Sequence, residues 1–190
     1  GGEIVRMLLD FSRLSEGFGP VSVRDVAASC IRLWECKRPL YDIDFRMEIP
    51  DGLVKIHGNS SEVEEILFNL LDNAYDAIKM KEEAWACGKL EKPEHPVKGK
   101  ITLSAREVFR RGRRCVEVMI SDAGLGMTEE VRKQVFVPFF TTKATAIKGT
   151  GLGLYVIRKM VDAHQGEIEL ESVYGEGTTF RIFLPATGET

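Results

Sequence analysis

The 190-residue sequence has no apolar run approaching the ~20 residues that a bilayer-spanning helix needs. Its four cysteines, Cys30, Cys36, Cys87 and Cys115, form no C-x-x-C pair, and reduced structural thiols in a cytosolic protein are their simplest reading. Neither sign of charge dominates: 26 Lys and Arg stand against 29 Asp and Glu, a net charge of −3, so there is no broad basic field for nucleic acid. The one dense basic cluster, Arg110, Arg111, Arg113 and Arg114 around Gly112, reads as a solvated hairpin tip. A Walker phosphate loop is absent, as are the catalytic-loop and metal-binding triplets of the protein serine/threonine kinases. There is no internal repeat. No signal-peptide pattern follows the opening Gly1-Gly2, and the natural start of the protein is expected to lie upstream of it.

What is present is ordinary for a globular domain. The apolar content is 44% and the charged content 29%, and a chain of this length buries roughly 70% of the surface that it exposes when unfolded. Ile4, Met7, Leu8, Phe11 and Leu14 recur at helical spacing, and Gly17, Gly19 and Pro20 then break the pattern. Ser22 is placed to cap a helix reaching about Lys37. Ile43, Phe45 and Met47 alternate with Asp44, Arg46 and Glu48 as a half-buried strand does. Asp51-Gly52 predicts a hairpin turn into a strand over 53–57, and Ser61 with Glu64 predicts a capping box opening a helix to about Lys81. The stretch 83–98, with Gly88, Pro93, Pro96 and mixed charge, reads as an exposed insertion loop without chemistry.

Strands are expected over 100–109 and 115–122, followed by a glycine-containing turn and a short helix capped by Thr128. Helix resumes from Leu152 to about His164, and strands 167–173 and 178–184 close the chain around Tyr174-Gly175-Glu176-Gly177. Runs of adjacent strands with separate helices predict an α+β two-layer sandwich, with helices on one face of a mixed, largely antiparallel sheet.

Three segments carry polar residues that core packing does not require. On the long helix, Val63, Ile66, Leu67, Leu70, Leu71, Ala74, Ala77 and Ile78 fill one broad side, while Glu65, Asn69, Asp72, Asn73 and Asp76 fill another. Asparagine is a mediocre helix former. Asn73, beside the apolar stripe, belongs at a pocket edge, where its amide oxygen is a hard ligand for Mg²⁺ that adds no negative charge next to a triphosphate. A solvated helix face is the competing reading. Val116, Val118 and Ile120 keep one strand parity for the core, and Asp122 continues it, where a carboxylate is costly without a partner. The exocyclic amine of adenine is a fitting donor to it, whereas the carbonyl of guanine is repelled; a carboxylate capping the next turn is the bland alternative. Finally, Gly149 to Leu154 (GTGLGL) opens a helix, and glycines at a helix N-terminus bind phosphate through backbone N–H groups. No apolar strand precedes it, which removes the dinucleotide-binding reading.

Taken in order, these segments resemble the histidine kinase family of the gyrase, chaperone, kinase and mismatch-repair ATPase superfamily over nearly the whole chain. EILFNLLDNAYDA (65–77) is similar to its N box, DAGLGM (122–127) to its first glycine box, VFVPFFTTK (135–143) to its phenylalanine box and GTGLGL (149–154) to its second glycine box. YGEGTTF (174–180) resembles the last glycine box. The resemblance implies a Bergerat-type fold that binds Mg²⁺-ATP, with Asn73 on the metal, Asn69 near the phosphates as the other catalytic asparagine, and Asp122 and Thr178 at adenine. It further implies nucleotide contacts from Gly124, Gly126 and Met127, from Thr142, Lys143 and Lys148, and from Gly149, Thr150, Gly151, Leu152, Gly153 and Leu154. A mobile lid is expected from about Thr128 to Lys148.

This sequence departs from the family pattern at two points. Many members carry a lysine three residues after the second N-box asparagine, where this chain has Asp76; Asp76 and Lys79 are counted among the expected ATP-binding residues, and Lys79, Lys143 or Lys148 is expected to compensate for the missing lysine at the phosphates. The hydrolytic branches of the superfamily place a glutamate where this chain has Asn69, which favours phosphotransfer over water activation. LLDFSRL (8–14) resembles the end of the second helix of the dimerisation and phosphoacceptor hairpin, so residues 1–16 are expected to close that hairpin and 17–190 to form the catalytic ATP-binding domain. The implied activity is transfer of the γ-phosphate of ATP to a histidine of the hairpin, none of His57, His95 and His164 having a phosphoacceptor context. The implied partners are the chain's own dimerisation domain, as a homodimer in the full protein, and a response regulator receiver domain in two-component signalling. A clamp or serine kinase of the same superfamily, and an ATP-sensing module without transfer, are the rival readings. The domain is expected in the cytoplasm, whether or not the parent protein is anchored to a membrane.

Overall fold

In the computed structural model, residues 17–140 and 153–189 are described. The expected helix over 4–14 and the candidate site residues Thr142, Lys143, Lys148, Gly149, Thr150, Gly151 and Leu152 lie outside them. The described residues form β1 (Gly19–Val21), α1 (Val23–Lys37), β2 (Ile43–Glu48), β3 (Ile56–Gly58), α2 (Ser60–Ala86), β4 (Gly99–Arg110), β5 (Arg113–Asp122), α3 (Glu129–Arg132), α4 (Gly153–Ala163), β6 (Glu167–Val173) and β7 (Gly177–Pro185). Five strands make one sheet in the order β2-β4-β5-β7-β6, in which β2 runs parallel to β4 and every other pair is antiparallel. The expected α+β architecture is therefore present.

The sheet turns one side chain parity to the helices. Ile101 and Leu103 of β4, Val116, Val118 and Ile120 of β5, and Phe180, Ile182 and Leu184 of β7 are all buried in a single core with Ile66, Leu67, Leu70 and Leu71 of α2 and Ile157, Met160 and Val161 of α4. Trp34 of α1 is fully buried and meets Tyr75 of α2 edge-on, with ring centroids 6.4 Å apart. The opposite parity is mixed: Cys115 and Phe183 are buried there beside charged residues. There Glu117 is 4% exposed yet accepts from Arg106 Nε at 2.6 Å, with Arg181 Nε at 3.5 Å, and Arg110 pairs with Glu167 and Glu169. Arg110 lies 3.9 Å over the Phe183 ring, so ion-paired side chains cover the apolar residues of this face, and among the described residues the helices pack on the other face.

Four local expectations are corrected. Asp51-Gly52 does turn, with Gly52 at φ +74°, but β2 and β3 do not pair: β3 joins β1 in a separate two-stranded sheet. Pro50, immediately before the turn, has no amide donor for a hairpin ladder. The cap of α2 is Asn59, whose side chain accepts from Glu62 N at 3.1 Å, so the helix begins ahead of the Ser61 capping box. It also runs on to Ala86, because Glu82, Glu83, Ala84 and Ala86 are good helix formers, and Gly88 at φ +76° then ends it. The stretch from residue 83 is thus part helix, with Ala84 buried, rather than an exposed loop throughout.

Candidate nucleotide site

The site is organised around the end of β5, where Asp122 lies between Ile101 of β4 and Thr178 of β7 in the sheet register. Its half-buried carboxylate accepts from Gly124 N at 2.8 Å and from the backbone of Thr178. Burial nevertheless dominates these donors and raises its pKa to about 7, with the ammonium of Lys81 opposing the rise. The turn after Asp122 is clamped on both sides. Leu125 N donates to Ala77 O of α2 at 2.9 Å, and Gly175 N of the β6–β7 turn donates to Leu125 O at 2.5 Å.

The glycines here are required by close approach. A Cβ on Gly124 would lie 2.6 Å from the carbonyl carbon of Ala77, and Gly126, at φ +71°, leaves no room for a Cβ against the carbonyl of Val173. Met127 N donates to Ser172 Oγ at 2.8 Å, and Ser172 Oγ lies 2.8 Å from Thr178 Oγ1, so a hydroxyl pair ties the first and last glycine-rich segments together. Thr178 is buried and Met127 is packed against the core. Ser172 escaped the sequence reading. Its signal was the strand pairing itself, which sets Ser172 opposite Thr178 across the YGEG turn.

The α2 helix supplies a second side. Asn69, Asn73, Ala77 and Lys81 succeed one another at four-residue steps, a slowly slanting row on one helix flank about 18 Å long at 1.5 Å per residue. Its lower end touches the Asp122 turn through Ala77. Asn69 Nδ2 donates to Glu65 O at 2.9 Å, which leaves the side-chain oxygen as its accepting atom. Asn73 is partly buried. Asp76 and Lys79 face the neighbouring flank. There Arg38 donates to Asp72 at 2.8 Å and to Asp76 at 3.3 Å and lies over the Tyr75 ring, while Lys79 pairs with Asp42 at 2.5 Å. Arg38, at the end of α1, was not singled out in the sequence, where no short-range pattern links it to residues 34 and 38 positions later.

Gly153 and Leu154 begin α4, which packs against α2. The aromatic segment ahead of it holds Phe136 on the core beneath Arg158, whereas Val137 and Phe139 are exposed. Among the described residues no group of three or more His, Cys, Asp or Glu could hold a metal. An amide oxygen together with phosphate oxygens is a donor set that Mg²⁺ accepts, so Asn73 fits the expected role. No described helix is long and apolar enough to cross a membrane.

Known proteins are similar to this chain in sequence and in architecture. The chain is 29% identical over 184 residues to the signal transduction histidine-protein kinase AtoS of Escherichia coli (strain K12), covering 96% of this chain and 26% of that protein. It is 35% identical over 138 residues to the sensor histidine kinase ZraS of Klebsiella oxytoca, covering 73% of this chain and 25% of that protein. It thus spans about a quarter of the length of these two relatives. The nucleotide-free catalytic domain of histidine kinase ThkA superposes with a TM-score of 0.68 at 26% identity, over 89% of this chain and 95% of that one. Residues 58–188 match the family described as histidine kinase-, DNA gyrase B-, and HSP90-like ATPase, and the chain belongs to that family.

Proposed function

We propose that this chain is the nucleotide-binding catalytic part of a protein histidine kinase, which takes Mg²⁺-ATP and donates the γ-phosphate to a histidine on a dimerisation and phosphoacceptor domain. Residues 1–16 then close the second helix of that domain's hairpin, and 17–190 form the catalytic domain. The full protein would work in the cytoplasm as a homodimer and pass its phosphate to a response regulator receiver domain. The observation that carries this reading is the core-parity carboxylate of Asp122, set at the foot of the Asn69, Asn73 and Ala77 row.

Asp122 accepts the 6-amine of adenine, with Thr178 and the backbone of Gly124 and Gly126 beside it. Asn69 and Asn73 orient the phosphates along the helix flank, and Gly153 and Leu154 approach them from the start of α4. Asn73 would hold Mg²⁺, which when bound would supply positive charge against that developing on the phosphates. Thr142, Lys143, Lys148 and the glycines from 149 to 151, with Leu152, complete the phosphate side. Asp76 and Lys79 serve the fold through Arg38 and Asp42 instead of touching phosphate. An amide at Asn69 does not abstract a proton from water, so the site favours transfer over hydrolysis. The chain's contribution is positioning, which suits loose phosphoryl-transfer transition states.

The test uses γ-labelled ATP and Mg²⁺. The chain alone should remain unlabelled, and a phosphoacceptor hairpin supplied in trans should gain weak, acid-labile and base-stable label, since tethering normally provides the effective concentration. Acid-stable label on the hairpin, or no binding of Mg²⁺-ATP by calorimetry, would overturn the proposal.

A further inference from the structure

We infer that Lys81 is a positioning residue for adenine recognition, fixing the turn behind Asp122 from the far end of α2; this rests on the reading of Asp122 as the adenine partner. Lys81 Nζ donates to Ala123 O at 3.2 Å. The neighbouring backbone N–H groups are already placed: Ala123 N on Lys100 O at 3.0 Å, Gly124 N on Asp122 Oδ1 at 2.8 Å and Leu125 N on Ala77 O at 2.9 Å. The Ala123 carbonyl is held by a side chain, and that side chain follows Ala77 by one helical turn on the same row.

Two features keep Lys81 there. Its ammonium lies 5.5 Å from the centre of the Trp85 ring, one turn further along the helix, where a cation–π contact restricts it. Trp85 is in place only because α2 continues to Ala86. Beyond the helix, Leu90 N returns to Ala84 O at 3.1 Å, and the Leu90 side chain reaches the Gly175 turn, whose N–H holds Leu125. The extended helix and the segment after it thus brace both sides of the turn that aims the carboxylate. Among the described groups acting on Asp122, the two hydrogen-bond donors are backbone N–H groups of Gly124 and Thr178, and the charged side chain is Lys81. Lys81 therefore favours the ionised carboxylate that an exocyclic amine requires.

The experiment is calorimetry on this chain with Mg²⁺ and either ATP or ITP, whose base carries a carbonyl in place of the 6-amine. Wild type should prefer ATP. Lys81→Met should reduce the ATP/ITP affinity ratio about fivefold or more through loss of a charged hydrogen bond, while Lys81→Arg should retain most of it. Trp85→Leu, which releases the ammonium without removing it, should lower the ratio less and in the same direction, and it serves should Lys81→Met fold poorly. A wild-type ratio in Lys81→Met or Trp85→Leu, or an equal loss in Lys81→Arg and Lys81→Met, overturns the inference. A wild-type chain that binds ATP and ITP equally overturns the Asp122 assignment itself, a distinct result.

Discussion

The Nε2 of His164 accepts a hydrogen bond from the backbone N–H of Asn59 at 3.1 Å, and its Nδ1 lies 2.7 Å from the carbonyl oxygen of Met160. An amide N–H only donates and a carbonyl only accepts, so the two partners dictate a neutral ring protonated at Nδ1. The side chain is buried and packs against Phe18, with ring centroids 4.7 Å apart and the planes tilted by 44°, and a Cβ on Gly58 would lie 2.8 Å from its Cδ2. His164 therefore joins the C-terminal end of α4 to the cap of α2, and this placement leaves neither ring nitrogen open to accept phosphate.

Burial depresses the pKa of His164 below its ordinary 6.5. The unfolded chain then takes up the proton first, so the stability that His164 contributes is present above pH 6.5 and is lost as pH falls through the lower folded-state value. His164→Gln should cost about 1–3 kcal/mol at pH 7.5 and progressively less toward pH 5. Thermal melts of both chains across that range give the difference directly. A gap that does not narrow in acid would refute the buried neutral assignment.

Arg38 explains why an aspartate at position 76 is suited to this chain. Its side chain is 11% exposed, lies 4.9 Å over the Tyr75 ring and is shared between Asp72 and Asp76. Asp76→Lys, which installs the residue that many family members carry, would set a second cation against this guanidinium and leave it with Asp72 as its one remaining carboxylate partner. We expect a loss of about 2–4 kcal/mol by denaturant melts and no gain in ATP affinity. Reversing the partner as well, in Arg38→Glu with Asp76→Lys, should recover part of the stability. A stable Asp76→Lys chain with tighter ATP binding would mean that position 76 does face phosphate.

The elements that were legible in the sequence are those governed by local rules. Ser22 and Thr128 cap as expected, accepting from Asp25 N and Val131 N, because a cap requires only a short polar side chain and the next turn of backbone. The strand parity of Val116, Val118 and Ile120 placed Asp122 on the core side without any knowledge of the fold. What escaped depends on distant partners. That β2 would pair with β4 and leave β3 to β1 is set by which sheet edge is available, and an Asp-Gly turn carries no such information. Ser172 and Lys81 matter through what lies opposite them, and a serine in a strand or a lysine on a helix is unremarkable until the turn after Asp122 is in place.

The carboxylate of Asp122 also titrates where its role can be tested. Its pKa is raised to about 7, chiefly by burial, from a usual 3.8. In the ligand-free chain the stabilising contribution from its neutral form is present below 3.8 and lost as pH rises through about 7. With Asp122 as the adenine partner, bound adenine should invert this preference, since its 6-amine would donate to the ionised carboxylate and favour that form. At pH 6 about a tenth of the ligand-free chain would be ionised, and at pH 8 about nine tenths, so ATP affinity should be about tenfold weaker at the lower pH. Phosphate protonation also changes over this range, but it affects ATP and ITP alike, and the ratio of their affinities isolates the base. That ratio should climb through about pH 7 in wild type and stay flat and low in Asp122→Asn, whose amide has no charge to gain. In melts, the rise in midpoint produced by ATP should be larger at pH 8 than at pH 6. A ratio independent of pH in wild type would show that Asp122 is not the group that reads the adenine amine.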